Sequence, residues 1–191
     1  MTRNLQQHIL ETASALFYSQ GFKATGVDAI VKAAGTTKMS LYKYFPSKDE
    51  LVLAHLQKSR EDMRKQILDG MAARAEAPKE QLLAIFDVFE QLMGTSEFRG
   101  CPFINAAAEF AAENNPVQQA SAEFYAAFRG TLADLAKQAG IENAEELAGQ
   151  LVLLIAGAVV GEQMQRNSGS MQRARAAATI LIEAFSAAPS H

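Results

Sequence analysis

The residues best equipped for chemistry in this 191-residue chain crowd into one stretch, Thr36 to Lys48 (TTKMSLYKYFPSK). Lys38 and Lys43 carry ammonium donors, Thr36, Thr37, Tyr42 and Tyr44 carry hydroxyls, and Met39 carries a flexible apolar chain. That set suits a double-stranded nucleic acid, where cations and hydroxyls grip phosphates while side chains on a helix read base edges in the major groove. Met39 has the chemistry to lie against a thymine methyl. Ser47 and Glu50 form a capping box, so Lys48 falls in the first turn of the next helix, where a cation opposes the helix dipole. A phosphate facing Lys48 and the adjacent amides would offset that cost.

Three elements must position this stretch. Thr25 and Asp28 have capping-box spacing, and Val27, Ile30, Val31 and Ala34 recur at helical period up to Gly35, which can take the left-handed conformation of a tight turn. Thr36-Thr37 caps a second short helix, on which Leu41 and Phe45 share a face until Pro46 ends it. The pair reads as a helix-turn-helix. Residues 3 to 20, with Leu5, Ile9, Ala13 and Leu16 on one stripe, Phe17 beside it and Gly21 at the end, form the floor beneath, with Thr2, Arg3 and Asn4 placed to reach the DNA backbone. By geometry alone, a small helical subdomain with a solvated lysine face fits equally well.

From Leu10 to Leu51 the chain resembles the TetR-type transcriptional repressors, over about a fifth of its length. Ala13, Leu16-Phe17, Gly21-Phe22, Thr25, Val27, Ile30, Ala33-Ala34-Gly35, Thr37, Leu41-Tyr42, Tyr44-Phe45, Ser47-Lys48 and Leu51 carry the likeness. Gly26, Val31, Thr36 and Met39 depart from it; Gly26 lacks a hydroxyl that often touches phosphate, and Met39 points to an individual operator preference. The resemblance implies an all-α fold of about nine helices, with a DNA-binding head at residues 1–47 on an effector-binding and dimerisation body at 48–191. It also implies a homodimer on a palindromic operator, with a small-molecule effector that moves the fourth helix. Thr25 joins the DNA-facing set on this ground.

Charge agrees with a one-ended DNA binder. Residues 1–60 hold eight Lys/Arg against four Asp/Glu, a balance of +4, whereas residues 61–191 carry −7. The single cysteine, Cys101, excludes an internal disulfide framework and fits a cytoplasmic location; set before Pro102 it reads as a packing residue or as an oxidant sensor. The polar start MTRNLQQ shows no secretory signal, and the longest apolar run, Leu151 to Gly161, is too short to span a bilayer. No metalloprotease, nucleophile-elbow, Walker or Rossmann pattern is present, and His8, His55 and His191 lack ligand spacing, so neither catalysis nor a cofactor is expected.

Beyond the head, the periodicity predicts helices from Lys48 to about Gly70, Pro78 to Met93, Phe103 to Glu113, Val117 to Gln138, Glu145 to Arg166 and Met171 to Ala187. Phe86, Phe89, Phe103, Phe110, Phe124, Tyr125 and Phe128 form an aromatic stripe that is either core or the lining of an effector site, with Phe86, Phe89, Phe103, Phe124, Tyr125 and Phe128 as the expected effector contacts. Asn105 and Glu109, four apart among apolar neighbours, either tie the bundle internally, with Arg129 as a candidate partner, or orient the effector. The eighth helix is apolar nearly all round, and the ninth has a smooth alanine-rich side, so both point to a four-helix dimer interface. Leu151, Leu154, Gly157, Ala158 and Gly161 on one, and Ala177, Leu181 and Phe185 on the other, are the expected contacts; completion of a monomer's core is the competing reading. The rival function is a partner-binding or chaperone-like helical bundle with a vestigial head.

Overall fold

The computed structural model describes residues 4–112 and 114–187, so the roles expected of Thr2 and Arg3, and His191, lie outside the described residues. Among these, nine helices and no strand are found, as expected: α1 (Leu5–Gln20), α2 (Val27–Ala33), α3 (Lys38–Tyr44), α4 (Lys48–Ala72), α5 (Pro78–Met93), α6 (Pro102–Glu109), α7 (Pro116–Gln138), α8 (Ala144–Met164) and α9 (Ser170–Ala187). Two compact units form, one from the residues up to Asp62 together with Cys101–Glu123, the other from Met63–Gly100 together with the chain from Phe124 onward.

In the first unit, Asn4 caps α1 by accepting from the Gln6 amide at 3.1 Å. Its buried stripe is Ile9, Ala13 and Phe17; the expected Leu5 is 37% exposed, because the helix has rotated Phe17 rather than Leu16 to the centre of the inner face. The turn between α2 and α3 is a Schellman motif. Gly35 sits at φ +59, its amide and that of Thr36 donate to the Lys32 and Val31 carbonyls at 3.3 and 3.1 Å, and no L side chain occupies that conformation without strain. Thr37 then caps α3 by accepting from the Ser40 amide at 3.2 Å, worth about 1 kcal/mol, and Ser47 does the same for the Glu50 amide at 3.1 Å. Ile30, Leu41, Phe45, Leu51 and Leu56 are buried together with Phe17 and Phe22, which locks α2, α3 and the start of α4 onto α1.

The second unit is built on α5, α8 and α9, which pack pairwise. The turn between α8 and α9 is organised by a buried carboxylate: Glu162 accepts from the amides of Asn167 (2.6 Å) and Ser168 (3.1 Å) and from the Ser168 hydroxyl (2.9 Å). Burial alone would raise its pKa, but these donors, with Arg166 nearby, outweigh burial and hold it below the usual carboxylate value. Arg166 also donates to the carbonyls of Met93 and Thr95 at 3.1 and 2.8 Å and lies over the Phe98 ring, fastening the end of α5 to the same turn.

Taken whole, α8 is long and apolar enough to cross a membrane by length and composition, although its longest uninterrupted apolar run is not; of its most apolar 18 residues only 44% are buried in the subunit.

Candidate nucleic-acid interface

Helix α3 buries Leu41, its C-cap Phe45 is buried too, and the opposite side faces out: Met39 is 81% exposed, Tyr42 is 44% exposed, and the exposed Lys38 and Lys43 flank them. The fold thus brings Lys38, Met39, Tyr42 and Lys43 of the expected set to one outer side of α3. Lys43 lies over the Tyr44 ring, 5.9 Å from its centroid, which orders both side chains. Thr36 is half-buried in the Schellman turn, and Thr37 is exposed at the cap. Lys38 is paired with Asp28 of α2 at 2.8 Å, and this partner raises its pKa. An exposed pair of this kind contributes at most about 1 kcal/mol, so it aims the lysine more than it stabilises the head. Asp28 therefore serves α3 rather than a capping box.

Thr25 leaves the DNA-facing set. It is fully buried, its hydroxyl donates to the Gly21 carbonyl at 2.7 Å and approaches the Leu16 carbonyl at 3.3 Å, and α2 begins two residues later at Val27 with Gly26 as its cap. The hydroxyl closes the end of α1 and is out of reach of any phosphate. Lys48 is half-buried and its Nζ reaches the Lys23 carbonyl at 3.5 Å, so it is anchored to the turn between α1 and α2.

That turn has a second anchor, which local patterns in the sequence do not reveal. Glu109, at the end of α6, accepts from the amides of Phe22 (3.0 Å) and Lys23 (2.6 Å), and Phe110 meets the Phe22 ring edge-on at 5.9 Å. Glu109 is thus an internal tie, made with backbone amides rather than with Arg129. Beside it, the buried His55 packs against Phe17 and Phe22 with neither ring nitrogen hydrogen-bonded, and burial, aided by Lys58, pushes its pKa down to about 4.

The first unit also contains a cavity of about 390 Å³, within the range of small-molecule sites. Phe45, Leu53, Leu56 and Phe103 give it apolar walls, and Glu50, Gln57, Arg60 and Glu123 stand around it. Of the expected effector-facing residues only Phe103 lines it. Asn105 is half-buried elsewhere on α6. In the second unit, Phe86 and Phe89 are buried core, Phe128 meets Phe89 at 5.8 Å and stacks on Phe124 at 6.2 Å, and Tyr125 is 43% exposed. Burial pushes the Cys101 thiol pKa up, which suits packing better than oxidant sensing.

On α8 and α9 the expected contact residues divide. Leu151 and Ala158 are buried inside their own subunit, because an all-round apolar helix gives no periodic cue to its inner side. Gly161 makes room for Ser170, whose hydroxyl lies 2.6 Å from where a Cβ would stand. Leu154, Ala177, Leu181 and Phe185 are half-buried, and Gly157 is exposed with nothing within 4 Å of a Cβ. The outward apolar residues are Leu153 (65% exposed), Val160, Met164 (83%) and Ile180 (69%), three of them with Gly157 on one stripe of α8.

Residues 9–55 match the family model for bacterial regulatory proteins of the tetR family, and residues 78–178 match the tetracyclin repressor-like C-terminal domain. Among known proteins, the chain is 29% identical to the HTH-type transcriptional regulator LmrA of Bacillus subtilis (strain 168), over 85% of this chain and 88% of that one. It is 31% identical to the HTH-type transcriptional regulator YxaF of the same organism, over 82% and 81%. Among solved structures, SCO4454, a TetR-family transcriptional regulator from Streptomyces coelicolor, superposes with a TM-score of 0.89 at 26% identity, covering 95% of this chain and 96% of that one. With the head matched over residues 9–55 and the body over 78–178, the chain belongs to the TetR family and is a DNA-binding transcriptional regulator, rather than an enzyme or a bundle with a vestigial head.

Proposed function

We propose that this regulator acts as a homodimeric repressor, joined through α8 and α9, that grips a palindromic operator with two copies of α3 and lets go when a small molecule binds. One observation carries the reading: the outward stripe of α8, Leu153, Gly157, Val160 and Met164, continued by Ile180 on α9. Burying a side chain of this kind stabilises by about 1.5–3 kcal/mol, and α8 is already packed on α5 and α9, so a second subunit suits the open stripe better than a bilayer. A two-fold pair presents two heads to half-sites about 34–36 Å apart or a multiple of that spacing. Phosphates are met by Lys38, Lys43, Tyr42 and Thr37, and Met39 reads a thymine methyl. The work divides between a DNA-facing part through residue 47 and an effector-binding and dimerising part from residue 48, in a cytoplasmic protein.

The effector reading is supported by the 390 Å³ cavity, whose wall includes Phe103 and the end of α3. A ligand acts only if it binds the DNA-competent and released shapes with different affinity. The test is a gel-shift titration against duplexes selected from a randomised library, with sedimentation of the same protein. Two subunits per duplex and binding that weakens steeply with salt support the reading. A monomer in free solution and on DNA would overturn it.

A further inference from the structure

The carboxylate of Glu109 has an environment that the DNA-binding reading does not require. It accepts two converging amide protons, from Phe22 at 3.0 Å and Lys23 at 2.6 Å, although those residues lie 87 and 86 positions away in sequence. The amides converge because Gly21 takes φ +90, and a Cβ there would stand 3.1 Å from the Glu109 Oε1, so the glycine makes both the turn and the room for the acid. From the other side, Lys48 reaches the Lys23 carbonyl at 3.5 Å, and Phe110 packs edge-on against Phe22. The turn so clamped leads directly into Thr25 and α2, and α2 holds Lys38 of the reading helix through Asp28 at 2.8 Å. A continuous path of specific contacts thus runs from α6 to a side chain on the DNA-facing surface.

We infer that Glu109 is a positioning residue for operator binding: without touching DNA, it fixes the turn between α1 and α2 and so sets where α2 and α3 stand. The inference rests on the DNA-binding reading, and the wild-type protein serves as its control on one duplex selected by that protein from a randomised library. Glu109→Ala is expected to weaken binding of that duplex about tenfold, the effect of losing hydrogen bonds to a charged acceptor. The slope of affinity against salt should stay unchanged, since no phosphate contact is lost. Glu109→Gln keeps one carbonyl acceptor and should recover part of the loss. In both variants, hydrogen exchange at the Phe22 and Lys23 amides should quicken while the sedimentation coefficient of the dimer is retained. Equal affinity in Glu109→Gln and Glu109→Ala to wild type, with faster exchange at those amides, would show a local tie without consequence for DNA and would overturn the inference; a shallower salt slope would do so too, by making Glu109 part of the phosphate-binding surface. Failure of the wild-type protein to select any duplex would instead count against the DNA-binding reading.

Discussion

The outer faces of α3 and α8 each expose large apolar side chains, and their neighbours give them opposite meanings. On α3, Met39 and Tyr42 stand between Lys38 and Lys43, so the apolar groups are set in a positive field that draws in phosphate. On α8, Leu153, Val160 and Met164 lie in a stretch, Gly149 to Gln165, with no lysine or arginine and whose one acid, Glu162, is buried. In the proposed reading the first arrangement discriminates base edges, and it is too small and too charged to pair with itself. The second carries no cation for a phosphate, and in the proposed reading it is covered by a copy of itself. Exposure of an apolar residue is therefore read from the charges around it.

The largest expected effect separates these two surfaces. A Cβ at Gly157 would have nothing within 4 Å in its own subunit and the residue is exposed, so folding of the subunit should survive Gly157→Leu, whereas overpacking of a two-fold contact costs about 1–3 kcal/mol at each of two copies. Sedimentation should show the dimer weakened at least tenfold, with operator affinity lost in parallel; an unchanged dimer would place the interface elsewhere. The converse change, Tyr42→Ala, should weaken operator binding by about 1–2 kcal/mol and leave the dimer intact. Lys43→Ala should cost less and lower the salt slope of the dimer's complex by about two, one phosphate for each subunit, measured by anisotropy at several ionic strengths.

A separate effect, on stability rather than on binding and confined to acid pH, concerns the core of the head. His55 has a folded pKa of about 4 against 6.5 when unfolded, so the unfolded chain binds the extra proton between those values. The stability contributed by a neutral His55 is complete above about pH 6.5, declines as the pH falls, and is gone near pH 4, a loss of at most roughly 3 kcal/mol. His55→Leu should flatten that decline in urea unfolding followed against pH. Glu162 acts in a lower window: its depressed pKa contributes stability above the ordinary carboxylate value that is lost as pH falls through the folded one. Glu162→Gln should reduce the acid sensitivity of the turn between α8 and α9, read by hydrogen exchange at Asn167 and Ser168, with little change at neutral pH in the head.

What the sequence reveals follows from how local the physics is. The Schellman turn at Gly35, the caps at Thr37 and Ser47 and the end of α3 at Pro46 depend on residues within five positions, and each was legible. Thr25 was misread because its hydroxyl turns back to Gly21 and Leu16 rather than forward into α2. Glu109 was recognised as an acid in need of a partner, but donors 86 and 87 residues away leave no periodic trace. On α8 the limit was different: with apolar residues on every side, period alone could not say that Leu151 faces inward and Leu153 outward. The outward set becomes visible only once α5 and α9 have claimed the inner side.

The comparison between the two surfaces is tested most directly by the mass and symmetry of the complex with a selected duplex. Light scattering with footprinting should find two subunits protecting two inverted half-sites, and Gly157→Leu should abolish that complex at concentrations where the wild-type protein forms it. One subunit protecting a single asymmetric site, or an undiminished two-fold complex in Gly157→Leu, would contradict the account.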